Sequence, residues 1–449
     1  MSPIRRWLAA LPLLLAPAVG LAATPEPALL MVSVDGLRPV EVLEAKARGA
    51  QLPTLTRLLA EGAHAQVEGV LPTVTYPSHT TLITGAAPAR HGILANTTFD
   101  PLQANAGGWY WYAEDIKAET LWQAARRAGL STGNVQWPTT VGASGIDWNL
   151  PQMWRSGTAD DAKLNRVLAT PGLDADLAAR AHVAVPSGIN ETPESDEARG
   201  SLAEALIAAH APRLLTVYFT AFDEAQHEHG PDAPEGRAVL ERIDAALGRV
   251  IAAERARYPQ AHVALVSDHG FARVTSQLCV TRALVDAGLV RTDAKGKITG
   301  WDAAAWTMGG SVAVVLAKDD PALKARVAAL LEKLRADPAN HIVQVIDGAA
   351  ARALGGQPDA AFVLQLGDGM MTADWAGPET PLVAPARYPG MHGYFPSDPR
   401  MRATLLVAGP GIRAGKDLGL IDMRRIAPTL AGLVGARLAN AEGEVLDLR

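Results

Sequence analysis

The sequence predicts an α/β protein built on a central, mostly parallel sheet with helices on both faces, and three observations predict it. Runs 28–34, 214–219 and 263–267 are almost continuously apolar, as strands buried on both faces are. Segments with helical periodicity accompany them at 55–60, 120–128, 202–209 and 237–254. Each apolar run also ends on, or shortly before, an acid: Asp35, Asp223 and Asp268. Ligands of open α/β sheets bind outside the carboxyl ends of the strands, so three acids delivered to that edge mark a site.

In chain order, Arg5 and Arg6 precede an apolar run from Trp7 to Val19 and the small residues Gly20-Leu21-Ala22. This reads as a secretory signal peptide over residues 1–22, leaving 23–449 as a single domain. Pro12 and Pro17 interrupt the run, and no later segment reaches the roughly 20 apolar residues of a membrane span. An exported protein, periplasmic or secreted and without a transmembrane anchor, is expected. Cleavage after Ala22 removes two arginines and no acids, taking the formal charge from −6 to −8. That balance argues against a broadly basic nucleic-acid surface, so no stable nucleic-acid partner is expected. Cys279 is the only cysteine, so no intrachain disulfide can form and stability must come from the core. With 48% apolar residues, the chain can supply one.

The strand at 28–34 gives way to Asp35-Gly36. A shorter β-like run at 65–70 leads into Pro72, and Pro77 has the fixed φ suited to the first turn of a helix through Leu82 and Ile83. Thr75 therefore stands at a helix entrance, where free N–H groups and the helix dipole favour an anion. The stretch 142–200 is rich in Pro, Gly and polar residues and is expected to form loops or an insertion over the sheet edge. A second insertion is expected over 281–384, with a mixed charged and apolar helix at 324–335. Further strands are expected at 311–316, 361–366 and 404–408.

Asp223 and His227 are four apart, which on one helical turn directs both side chains to one face. His229 competes for the same role, and the spacing favours His227. Asp268-His269 follow the third strand, and His392 sits between glycines that allow a tight turn. Read singly, each has a plainer role: Thr75 as an N-cap, Asp223 and His227 as an exposed ion pair, His269 bonded to a carbonyl, His392 in a surface turn. Together, Asp35, Asp223, His227, Asp268, His269 and His392 supply three carboxylates and three imidazoles. That mixture suits zinc better than calcium or magnesium, and six ligands with one hydroxyl divide between two metals.

The order Asp35-Gly36, Pro72-Thr73-Val74-Thr75-Tyr76-Pro77-Ser78-His79, Thr84-Gly85, His91-Gly92-Ile93, Asn96, Asp223 to His227, Ser267-Asp268-His269-Gly270 and Gly390-Met391-His392-Gly393-Tyr394 resembles the nucleotide pyrophosphatase/phosphodiesterase family of the alkaline phosphatase superfamily. The resemblance implies an alkaline-phosphatase-like sheet with cap insertions and two Zn2+ ions. One zinc would be held by Asp223, His227 and His392, the other by Asp35, Asp268, His269 and the Thr75 oxygen. Thr75 would be the nucleophile, forming a covalent phosphothreonine, and Asn96 would hold a non-bridging phosphate oxygen. Ser78 departs from the Asn common in relatives, at a position that is not a ligand. His79 and His91 belong to the pattern without being ligands.

A neutral amide at Asn96 favours a singly charged diester, so the expected partner is a small phosphodiester or nucleotide. Tyr76 and Tyr218 are expected to sandwich a base, with Trp109, Trp111 and Trp137 as further candidates for the entrance. The alternatives are a phosphonoacetate-type phosphonate hydrolase, a choline phosphodiesterase and an inactive phosphate-binding scaffold. The sequence does not specify an oligomeric state.

Overall fold

A computed structural model of the chain describes residues 27–105, 108–155, 158–187 and 190–449. The expected signal peptide lies outside the described residues. An eight-stranded sheet forms the centre, in the order Lys416–Asp422, Ala63–Glu68, Ala403–Ala408, His262–Val266, Leu29–Val34, Leu214–Phe219, Thr132–Val135, Trp148–Leu150. Ala403–Ala408 alone runs against the other strands, since it is antiparallel to both its neighbours.

Alternation along the strands divides the core in two. Leu30, Val32 and Val34 pack under helices Pro53–Glu61, Pro193–His210 and Pro234–Arg257, while Leu29 and Met31 face helices Thr75–Thr84, Leu121–Arg127 and Ile426–Leu433. Every residue of Leu29–Val34, Leu214–Phe219 and His262–Val266 is buried, as their unbroken apolar character requires. The parallel register matches Val34 to Phe219 and Ser33 to Val266, so the three strands finish level and release Asp35, Asp223 and Asp268 at one edge.

The stretch 142–200 is more regular than its composition suggests. Trp148–Leu150 extends the sheet in parallel with Thr132–Val135, and helices Asp160–Leu168 and Leu173–Ala181 follow it. Leu173 and Leu177 are buried in the core, and acids in both first turns complement the helix dipoles. Tertiary burial has overridden a loop-like composition.

The segment expected as a second insertion contains an antiparallel sheet, Ala303–Met308, Ser311–Leu316, Ala360–Leu366 and Ile342–Asp347, with helix Pro321–Ala336 and an apolar cluster of its own. The strand Ala272–Leu278 links it to the edge that carries the three acids. This strand leaves directly after Asp268-His269-Gly270 and pairs antiparallel with Gly390–Met391, Ala272 opposite Met391. The pairing returns the chain to the edge and sets His392 against His269.

Glu254 on helix Pro234–Arg257 is fully buried, and neither carboxylate oxygen has a hydrogen-bond partner among the described residues. Burial pushes its pKa up to about 7, against the attraction of Arg213 and Arg257. A carboxyl with a raised folded pKa holds its proton longer in the native state, so stability falls as pH rises between about 4.5 and 7. Glu254→Gln is expected to leave stability nearly unchanged at pH 4 and to raise it by about 3 kcal/mol at pH 8. Urea melts at the two pH values check this, and equal shifts at both would refute it.

Candidate active site

Thr75 is the first residue of helix Thr75–Thr84, and Val74 before it is extended. No side chain caps this helix, so the hydroxyl of Thr75 is not occupied as an N-cap. Its Oγ1 lies 3.4 Å from His269 Nε2 and reaches a cleft of about 270 Å3. The next N–H, of Tyr76, donates to Asn96 Oδ1 at 2.9 Å, which anchors Asn96 and leaves its Nδ2 donor without a partner among the described residues. The cleft is lined by both, together with Asp35, Trp109, Trp154, Glu191, Tyr218, Asp223, Glu224, His227, Tyr388 and His392.

The six expected ligands form two groups. Asp223, His227 and His392 present donor atoms within 4.8 Å of one another, and Asp35, Asp268 and His269 do the same. Asp223 and His227 both lie on helix Ala221–His229, with His227 Nε2 3.3 Å from Asp223 Oδ2. His269 Nε2 stands 3.3 Å from Asp35 Oδ1 and 3.2 Å from Asp268 Oδ2. The His269 and His392 rings stack at 3.7 Å between centroids, close to the crossing made by the Ala272–Leu278 strand. Two glycines permit the turns. Gly36 has φ +66° and its N–H donates to Asp268 Oδ1 at 3.1 Å, while Gly393 has φ +86° and a Cβ there would stand 1.9 Å from the Met308 carbonyl.

Backbone carbonyls set the tautomers of all three histidines. His227 Nδ1 faces Gly390 O at 3.0 Å, His269 Nδ1 faces Gly270 O at 3.2 Å and His392 Nδ1 faces Thr73 O at 3.3 Å. A carbonyl only accepts, so each Nδ1 carries a proton, and in the neutral ring each Nε2 lone pair points at the carboxylates. Lone pairs aimed at carboxylates repel unless a cation lies between them. Asp35 Oδ1, Asp223 Oδ1 and Asp268 Oδ2 are moreover buried without hydrogen-bond partners among the described residues. The residues present therefore fit a divalent cation in each group, and their mixed N and O donors suit zinc.

The protonation equilibria show the same deficit of positive charge. Burial, then repulsion from Asp268 and Asp223, holds the Asp35 carboxyl well above its ordinary range, and burial lifts Asp268 to about 7. Burial depresses His392 to about 4, whereas at His227 the Asp223 carboxylate overcomes burial and pushes the pKa up to about 9.

Tyr76 and Tyr218 both border the cleft, yet each is only 1% exposed. The Tyr218 hydroxyl donates to Asp35 Oδ2 and its ring meets His79 edge-on at 4.6 Å. An enclosed Tyr218 has no open face for a base; it orients Asp35. Tyr76 donates its hydroxyl to Gln152 Oε1 at 3.2 Å and lies against Trp109, which in turn contacts Trp154 at 5.1 Å. His79 is fully buried between Ser33 Oγ at 2.9 Å and the Thr75 carbonyl at 2.8 Å, a strut behind Thr75. Trp137 is wholly buried and Trp111 nearly so, and neither lines the cleft.

Sequence reasoning missed Glu191, Glu224, Trp154 and Tyr388. Glu224 adjoins Asp223 and Tyr388 is four residues before His392, which are usable signals. Glu191 lies in a stretch read as loop, where no periodicity shows which side chain turns inward. Burial, Asp223 and Glu224 together push its pKa up to about 8.

The sequence signature of the type I phosphodiesterase / nucleotide pyrophosphatase family matches residues 29–365. The chain is 26% identical over 259 residues to human ectonucleotide pyrophosphatase/phosphodiesterase family member 1, covering 54% of this chain and 23% of that protein. The fold is similar to that of human ectonucleotide pyrophosphatase/phosphodiesterase 5, at TM-score 0.65 and 19% identity over 93% of this chain and 97% of the other. It is equally similar to an inactive form of the murine counterpart in complex with AMP, at TM-score 0.64 and 20% identity, covering 93% and 98%. The strands that end level, the paired ligand groups around Thr75 and the signature across three quarters of the sequence agree: this chain belongs to the type I phosphodiesterase / nucleotide pyrophosphatase family.

Proposed function

We propose that this chain is an exported two-zinc phosphodiesterase or nucleotide pyrophosphatase that releases nucleoside monophosphates through a phosphothreonine intermediate. The observation that carries this reading is the Thr75 hydroxyl opening into one cleft between the two ligand groups. Bound zinc would lower the pKa of the hydroxyl and neutralise charge on the phosphate. Thr75 Oγ1 forms the new bond to phosphorus while the bond to the leaving oxygen breaks, and the hydroxyl proton passes to solvent. Water then displaces Thr75 from phosphorus. Asn96 Nδ2 donates to a non-bridging oxygen, held in place by the Tyr76 N–H.

Substrate charge follows from the lining. No lysine or arginine lines the cleft among the described residues, and Arg90 is exposed elsewhere. This favours a monoanionic diester over a dianionic monoester, and the cleft itself offers no lysine or arginine to a phosphonoacetate carboxylate. Export agrees with the leader sequence, and no helix of the described residues is long and apolar enough to cross a membrane.

The test compares hydrolysis of a nitrophenyl ester of thymidine monophosphate with that of nitrophenyl phosphate and phosphonoacetate. The nucleotide diester is expected to be preferred strongly; preference for either other substrate would overturn the assignment. Asn96→Ala is expected to cost about 2–4 kcal/mol of transition-state stabilisation, read as kcat/KM on the diester. One feature favours a second reading, because Glu191 and Glu224 beside Trp109, Trp154 and Tyr388 form a setting for a quaternary ammonium. Faster turnover of nitrophenyl phosphorylcholine than of the nucleotide ester would select it.

A further inference from the structure

Helix Ala221–His229 carries Asp223 and His227, yet its buried N-terminus has no cap from its own N-cap side chain. The cap comes from another helix. Asp196, on Pro193–His210 and fully buried, accepts from the Thr220 N–H at 3.0 and 3.1 Å through its two oxygens and from the Ala221 N–H at 2.9 Å. Asp223 lies two residues beyond Ala221, inside the turn that Asp196 holds, so a shift of this turn shifts the ligand with it.

Arg199, buried one turn along from Asp196, fixes that carboxylate in turn. Its Nη1 donates to Asp196 Oδ1 at 2.6 Å and to Thr220 Oγ1 at 2.9 Å, its Nε to Gln136 Oε1 at 2.7 Å and its Nη2 to the Asn190 carbonyl at 3.0 Å. Gln136 is itself held, its N–H on the Leu150 carbonyl at 2.7 Å and its Nε2 on the Pro186 carbonyl at 2.8 Å. A planar fork engaged on fixed acceptors has one orientation. For stability alone the arrangement is a poor choice. Thr220 is a good N-cap residue type, and a buried ion pair seldom outweighs its own desolvation. What the pair supplies is a fixed position for the helix turn, with no net charge added beside the ligands. The other ligand group is anchored separately: the Asp35 N–H donates to the Phe219 carbonyl at 2.9 Å, Tyr218 bonds the Asp35 carboxylate, and the Gly36 N–H holds Asp268.

We infer that Asp196 and Arg199 are positioning residues for the metal group of Asp223, His227 and His392, and that they act on this group and not on the other. They touch neither metal nor substrate. They hold the first turn of helix Ala221–His229 where Asp223 meets its two partners, so that binding a cation does not have to order the turn. The inference rests on the two-zinc reading above and adds the support behind one of its ligand groups.

The test titrates metal-stripped protein with zinc in competition with a chromophoric chelator, which reads affinity and not turnover. Asp196→Asn combined with Arg199→Met removes both charges, leaving neither buried alone. Arg199→Lys keeps a cation beside Asp196 and gives up the fork. The double change is expected to weaken one zinc equivalent by about 10- to 100-fold, as loss of residues that orient metal ligands does, and Arg199→Lys to act in the same direction by less. In a His392→Ala background, where that group has already lost a ligand, the remaining equivalent should keep its affinity when the double change is added. Unaltered affinities in every variant that folds, or equal weakening of both equivalents, overturns the positioning assignment and leaves the two-zinc reading standing. Failure of the unaltered protein to bind zinc overturns that reading and this inference with it.

Discussion

Thr75→Ala is expected to reduce diester turnover by at least about a thousandfold, roughly 4 kcal/mol in the barrier, while the fold and most of the metal are retained. The chemistry would lose its proposed nucleophile, whereas the structure would lose little. The hydroxyl caps no helix end, and its one side-chain hydrogen-bond partner among the described residues is His269 Nε2, 3.4 Å away. His269 keeps its backbone anchor at Gly270, and Asp35 and Asp268 remain beside it. Thermal melts should therefore agree to within about 1 kcal/mol, the ordinary range for small substitutions without a cavity or lost network. Mass spectrometry of the unaltered protein quenched during turnover should show a phosphate on the peptide containing Thr75, and the variant should show none. Undiminished hydrolysis by the variant would sink the nucleophile assignment.

Removal of metal is expected to abolish turnover and to destabilise the protein together. The two ligand groups gather three buried carboxylates with oxygens that no hydrogen bond satisfies among the described residues, and three imidazoles turn their Nε2 atoms towards them. A bound cation would offset this arrangement, and its binding to the native state would contribute about 2.7 kcal/mol per site at a hundredfold excess over Kd. Dialysis against a chelator should lower Tm by several degrees, and readdition of zinc should restore both Tm and activity. His392→Ala should lose about one equivalent of zinc, because it belongs to one group and stacks on the other only as a ring. Full activity and an unchanged melt after chelation would refute the metal assignment. Loss of both equivalents from His392→Ala would show that the two sites do not bind independently.

Local periodicity and side-chain chemistry make much of this molecule legible in its sequence. Unbroken apolar runs are diagnostic of strands buried on both faces, and Leu29–Val34, Leu214–Phe219 and His262–Val266 are such strands. The i, i+4 spacing of Asp223 and His227 implies a shared helical face wherever the helix sits, and helix Ala221–His229 has it. Pro77 in the first turn likewise marks the helix that begins at Thr75. These inferences depend only on φ/ψ geometry within a few residues.

What needed the tertiary structure was every relation across the chain. His392 meets His269 because Gly390–Met391 pairs with Ala272–Leu278 more than a hundred residues away, and no local pattern encodes that register. The helical character of 142–200 comes from burial of Leu173 and Leu177 against a core assembled elsewhere. Tyr218 has the position of a stacking residue at a strand end, but the sheet turns its hydroxyl to Asp35 and encloses its ring. Glu191 enters the cleft from a segment with no periodic signal. By itself the sequence determined the buried strands, the helices that carry Thr75 and Asp223, the candidate ligand types and the family, because backbone preference and side-chain chemistry act locally. The tertiary structure decided which candidate ligands lie together and which aromatic rings are enclosed, because packing and strand register act between residues far apart in the chain.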